Sequence, residues 1–103
     1  MRMNLDEFIF EWDDDKAEKN LAKHNVSFTE AASVFMDEYA QIYADTDHSD
    51  DEERFIIIGI SYEQNLLLVC HCLRDAESVI RIISARKATK TERKQYESRI
   101  ERR

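Results

Sequence analysis

The chain has 103 residues, of which 43% are hydrophobic and 36% charged, with a formal net charge of −7. That size bounds it to one domain around a single modest core, and its apolar content excludes a disordered chain. No apolar run approaches the roughly 20 residues of a membrane span, and the acid-rich opening MRMNLDEFIFEWDDD is not a signal peptide, so no membrane role and a reducing cytoplasm are the expectation.

In chain order, Phe8, Phe10 and Trp12 alternate with Ile9 and Glu11, which predicts a short strand. Asp13 caps a helix through about His24, with Asp14 and Asp15 in its first turn, Ala17, Leu21 and Asn20 turned inward, and Asn25 as a left-handed C-terminal cap. Ser27-Phe28-Thr29-Glu30 is a capping box with Val26 before it as a staple, opening a second helix to about Met36. Its inward face would be Phe28, Ala31, Ala32 and Phe35. Tyr39 to Ala44 reads as a strand, and Asp45 to Glu53 as an acidic loop. Arg54 to Tyr62 and Leu66 to Leu73 are strands joined by a tight Glu63-Gln64-Asn65 turn, and Ser78 to Ala85 is another. Thr89-Lys90-Thr91-Glu92 is a second capping box, opening a helix to the end. The predicted order is β-α-α-β-β-β-β-α, an α+β fold with a small antiparallel sheet, two N-terminal helices and a C-terminal helix.

Several chemical motifs fail on geometry. Cys70-His71-Cys72 has metal-ligand residue types, but alternation on a strand turns His71 away from both cysteines. A Cys70–Cys72 disulfide is poor in geometry and compartment. The segment beginning Asp45-Thr46-Asp47 starts like a calcium loop but lacks the glycine at loop position six, and Ile56 stands where the bidentate glutamate belongs. No glycine-rich phosphate loop is present. The single glycine, Gly59, lies inside a strand and marks a bulge or a close backbone approach. No metal and no cofactor are expected.

The net charge hides an asymmetry. Residues 1–53 hold 16 acids and 4 bases, whereas residues 54–103 hold 6 acids and 11 bases. The second half, at net +5, is suited to a polyanion although the whole chain is acidic. Solvation of the surface accounts equally well for the C-terminal helix charges, but less well for Arg81, which sits within the apolar run Val79–Ile83. Arginine and lysine hold a phosphate and stabilise its transition-state charge, and histidine moves protons near neutral pH. His48 lies in the acidic loop, His24 ends a helix beside Lys23, and His71 sits mid-strand, so each also has a plain structural reading. Tyr96 reads first as a core tyrosine.

The stretches FEWDDDKAEKNLAKHNVSFTEAASVF, EERFIIIG and IRIISARKATKTERKQYE resemble the BrnT family of bacterial type II toxins, in order from Phe10 to about Tyr96. The most specific pieces are Trp12-Asp13 with Lys16 and Asn20, Lys23-His24, Glu53-Arg54-Phe55, and Arg81 to Arg86. The resemblance implies a RelE-like fold with helices at one side of the sheet, and a ribonuclease that arrests translation without a metal, using the RNA's own 2′-hydroxyl. It implies that Arg54, Arg81 and Arg86 hold the scissile phosphate, with Lys23, His24 or His71 as base or acid. Lys87, Lys90, Arg93 and Lys94 would extend the RNA surface. Strand parity puts Arg81 and Arg86 on opposite faces unless a bulge or twist intervenes. The implied partner is a BrnA-type antitoxin with a ribbon-helix-helix domain, in a 2:2 heterotetramer that carries operator DNA binding. Two other readings compete: a non-catalytic nucleic-acid or protein-binding module using the same basic surface, and a metal-dependent hydrolase built on the acidic loop and histidines.

Overall fold

Six short alternating segments pair into one sheet in the computed structural model, which describes residues 1–46 and 52–101. The elements are β1 (Arg2–Leu5), β2 (Phe8–Glu11), α1 (Asp14–His24) and α2 (Phe28–Ser33), the last running into a 3-10 turn at Val34–Met36. There follow β3 (Gln41–Ala44), β4 (Phe55–Ile60), β5 (Leu66–Arg74), β6 (Val79–Lys87) and α3 (Lys90–Glu101). Strand order across the sheet is β1-β2-β6-β5-β4-β3.

Four expectations need correction, the smallest being Leu21, which is not turned inward from its helix but 47% exposed. An extra strand, β1, precedes the predicted first one. It is only four residues long, and its hairpin turns at Asp6 with φ 56°, without the Asn-Gly or Asp-Gly pair that signals such a turn. The sheet is mixed rather than antiparallel, because β2 pairs parallel with β6, Phe10 opposite Ile80 and Glu11 opposite Arg81. These strands are far apart in sequence, so no short turn imposes an antiparallel pairing. Helices also lie on both faces. α1 and α2 cover one face through Val26, Phe28, Ala31 and Ala32, packed with Phe10, Trp12, Ile57, Leu67, Val69, Ile80, Ile82 and Ala85. α3 covers part of the other, where Tyr96 and Ile100 pack on Ile58, Ile60 and Leu66.

The predicted caps form. Asp13 accepts from the Lys16 N–H, Ser27 accepts from the Glu30 N–H, and Asn25 closes α1 at φ 57°. Glu30 does not complete its box. Its carboxylate is buried and accepts instead from Ser61 Oγ at 2.6 Å and Asn65 Nδ2 at 2.9 Å, tying α2 to the β4–β5 turn. Gly59 marks a close approach: an added Cβ would sit 3.0 Å from Val34 Cγ1 and 3.1 Å from Ala40 Cβ.

Asn20 has the most consequential placement. β2 accompanies β6 only over Val79–Arg81, so the rest of that edge of β6 has no neighbouring strand. There the Asn20 side chain donates to the Ala85 carbonyl at 2.9 Å and accepts from the Ala85 N–H at 3.1 Å. Its Nδ2 also donates to the Val26 carbonyl at 3.0 Å. One buried amide thus satisfies the strand edge and fixes α1 against it.

Candidate functional site

β6 carries Arg81, Arg86 and Lys87, and an irregularity in that strand decides their geometry. β5 pairs Cys70 with Ser84 but His71 with Ile82, so Ile83 is an extra, bulged residue. The bulge resets the alternation. Arg86 pairs with Leu68 and Arg81 with Cys72, two positions of equal parity on β5. Arg81 and Arg86 therefore share a sheet face, the one that α3 partly covers.

On that face a cavity of about 410 Å³ is lined by Asp45, Arg54, Ile56, Leu68, Cys70, Ile83, Ser84 and Arg86. Arg54, just before β4, and Arg86, near the end of β6, reach it from opposite sides. Arg86 is held by a two-point pair with Glu92 of α3, both contacts at 2.9 Å. The same Glu92 completes the α3 capping box by accepting from the Thr89 N–H at 2.8 Å. These bonds draw its carboxyl down to about 2, with the Arg86 guanidinium the largest cause. Tyr43, from the neighbouring edge strand, has its phenol pushed up by burial and by the Glu92 charge. The Cys70 thiol is pushed up to about 11, chiefly by burial and then by the Asp45 carboxylate, so it is a poor nucleophile here.

Arg81 stands apart from this cavity. Its guanidinium donates to Glu11 Oε2 at 2.7 Å, and Glu11 also takes Arg2 at 3.1 Å. The Glu11 carboxyl is lowered accordingly, with the Arg81 bond the main cause. Lys23 and His24 line a second, adjoining cavity of about 220 Å³ with Lys16, Lys19, Asn20, Ile83 and Ser84. The two cavities share Ile83 and Ser84, so the bulge is the ridge between them.

His71 is not with this group. It points to the α1–α2 side, with its ring 5.0 Å from Phe35 and 6.0 Å from Phe55, and only 3% of the residue is exposed. Burial lowers its basicity, and Val69 O lies 3.4 Å from Nδ1. Its ring lines a different, mainly apolar cavity with Phe35, Ile42 and Phe55. It also faces away from Cys70 and Cys72, as alternation requires. Lys87, Lys90, Arg93 and Lys94 are exposed and line neither of the two cavities that flank the bulge. On α3 the roughly 100° step per residue turns Lys90 and Lys94 away from Glu92 and Tyr96, which face the sheet. Tyr96 is buried, and its hydroxyl donates to Asp37 at 2.5 Å. His48 lies outside the described residues.

Sequence reasoning passed over Glu11 and Ser84, read Asp45 only as the start of a failed calcium loop and Tyr43 only as part of a strand, and saw Glu92 only as a cap. Nothing local marks them, because each acquires its role from a partner on another element. One sign was available: the acid at the third position of the α3 capping box is six residues from Arg86, within reach of a side chain leaving the strand.

The chain is similar to known proteins in sequence and in fold. Residues 12–92 match the family model described as "Ribonuclease toxin, BrnT, of type II toxin-antitoxin system". No curated protein matches the chain. Among solved structures, the Brucella abortus ribonuclease toxin BrnT has a similar fold, with a TM-score of 0.61 at 22% identity over 79% of this chain and 96% of that one. Because the family model spans most of its length, this chain belongs to the BrnT family of ribonuclease toxins of type II toxin–antitoxin systems.

Proposed function

We propose that the chain cleaves single-stranded RNA at the Arg54–Arg86 cavity, without a metal, and thereby arrests translation in the cytoplasm. The observation that carries this reading is the pair of guanidinium groups on one cavity, reached from β4 and β6, with Lys23 and His24 just across the bulge. Two guanidinium groups suit a pentavalent phosphorane, whose extra negative charge they would meet from two sides. The RNA 2′-oxygen would attack the adjacent phosphorus as the bond to the 5′-oxygen breaks, leaving a 2′,3′-cyclic phosphate and a 5′-hydroxyl. His24 and Lys23 are the candidates to take the 2′-proton and to protonate the leaving oxygen. Arg81 serves the outer part of the same face. His71 is left out of the chemistry because its ring faces the α1–α2 side. In this reading the fold is RelE-like, and α3 adds Lys87, Lys90, Arg93 and Lys94 as a peripheral basic surface.

The partner in this reading is a BrnA-type antitoxin that caps the toxin in a 2:2 complex and supplies the operator-binding domain. The non-catalytic binding module keeps one observation in its favour: Arg81 and Arg86 are both already neutralised, by Glu11 and Glu92. Incubating the purified protein with single-stranded RNA, with and without EDTA, separates the readings. Cleavage that persists in EDTA and leaves cyclic-phosphate ends supports the proposal. Cleavage abolished by EDTA sinks the metal-free mechanism, and binding without cleavage favours the module.

A further inference from the structure

The sheet arginines are engaged by carboxylates, but the lysines of α1 are not. Lys16, Lys19, Lys23 and His24 line one cavity, and among the described residues none of the four is in an ion pair. An external anion can meet these cations without displacing an internal acid. The helix arranges them. At roughly 100° per residue, Lys16, Lys19 and Lys23 fall within one arc of α1. Asp14 and Glu18 point to the opposite side; Asp15 flanks the arc, and Asp13, the N-cap, lies beside Lys16, its carboxylate accepting from the Lys16 N–H and lowered in part by the Lys16 charge. Asn20 lies on the same face and is locked to both polar groups of Ala85, so the strip is held at the free edge of β6. Successive lysines are about one helical turn apart, ~5 Å along the axis. The strip borders Ile83 and Ser84, which also line the Arg54–Arg86 cavity.

We infer that the Lys16–Lys19–Lys23 strip is a track for successive phosphates of single-stranded RNA, leading over the Ile83–Ser84 bulge into the Arg54–Arg86 cavity. A single row of cations along one helix matches one phosphate row. A duplex presents two, separated by a groove, and would leave one row against the acidic remainder of the N-terminal half. The inference rests on the ribonuclease reading for the destination of the strand, while the track itself is tested by binding.

The test uses the whole chain and a fully 2′-O-methylated single-stranded RNA, which has no free 2′-hydroxyl and cannot be cut by the proposed route. Anisotropy titrations across a salt series compare wild type with the double variant Lys16→Ala/Lys19→Ala. Both lysines are exposed, and a thermal melt checks that the variant is folded. Affinity is expected to fall about tenfold, and the slope of log K against log salt to flatten by about 1.4, for two single-strand phosphate contacts at ~0.7 each. Lys16→Arg/Lys19→Arg is expected to restore both. Wild-type affinity and slope in the alanine variant would overturn the track. So would a DNA duplex bound as tightly as the RNA and lost equally in the variant, which marks a general polyanion patch. A wild type that leaves unmodified RNA intact removes the ribonuclease reading and leaves the binding result standing.

Discussion

Arg86 is paired with Glu92, and in the proposed reaction it would also hold the scissile phosphate. Its planar fork meets both oxygens of Glu92, and the same geometry suits two oxygens of a phosphate. Lysine keeps the charge but loses the two-point contact. Arg86→Lys is therefore expected to lower RNA cleavage by roughly 10²-fold or more, on the scale of losing one preorganised transition-state donor. Cleavage and toxicity at wild-type levels in that variant would remove Arg86 from the phosphate site. The partner of this pair makes a pH prediction. Glu92 is drawn down from 4.5 to about 2, so the folded state favours its ionised form. Its stabilisation is complete above the unfolded value near 4.5 and is lost as pH falls toward 2. Gln at this position keeps the capping-box acceptor and removes the charge. Melting temperatures of wild type and Glu92→Gln should differ at neutral pH and converge as pH falls through that window. A gap that stays constant down to pH 2 would mean that the pair does not titrate as described.

At the scale of elements, two helices are attached to the sheet by different means. α3 begins at a reciprocal capping box, with the Glu92 N–H donating to Thr89 Oγ1 at 3.2 Å. Thr89→Ala should cost about 1 kcal/mol, the usual loss for such a cap. α1 is attached through Asn20, whose removal would leave the buried Ala85 N–H and the Ala85 and Val26 carbonyls without this partner. Each buried polar group left so costs ~1–3 kcal/mol, so Asn20→Ala should destabilise distinctly more than Thr89→Ala. Denaturant melts of the two variants beside wild type test the ranking, and the reverse order would refute this account of the β6 edge. Asn20 was legible as an inward position from helical periodicity alone. Its partner was not, because the need for an edge acceptor and donor arises only where β2 leaves β6.

For the whole molecule, the distribution of exposed apolar surface bears on the antitoxin. β3 is an edge strand; Ile42 and Tyr43 on it are 60% and 44% exposed, and Tyr39 in the turn before it is 37% exposed. An edge strand bearing large apolar side chains is a ready surface for a partner. The toxin alone, at net charge −7, should bind promoter DNA poorly, and the complex should bind it through the antitoxin. Co-expression with the adjacent gene product, followed by light scattering and a gel shift, is expected to give a 2:2 particle that shifts the promoter. A toxin that shifts the fragment alone, or that fails to co-purify, would contradict this.

What the sequence determined by itself was local. Caps at Asp13, Ser27 and Thr89, the left-handed Asn25, the strands from β3 to β6 and the outward turn of His71 from its cysteines all follow from short-range sterics and periodicity, which act within a few residues. The tertiary structure decided what depends on distant segments meeting. These are the parallel seat of β2 beside β6, the placement of α3 on the face away from α1, and the capture of Arg81 by Glu11 and of Arg86 by Glu92. The clearest case is the β6 bulge. Alternation alone separates Arg81 from Arg86, and only the pairing with β5, which leaves Ile83 over, returns them to one face. A register is set by the partner strand as much as by the strand itself, and for that reason the candidate site was legible as residues but not as geometry.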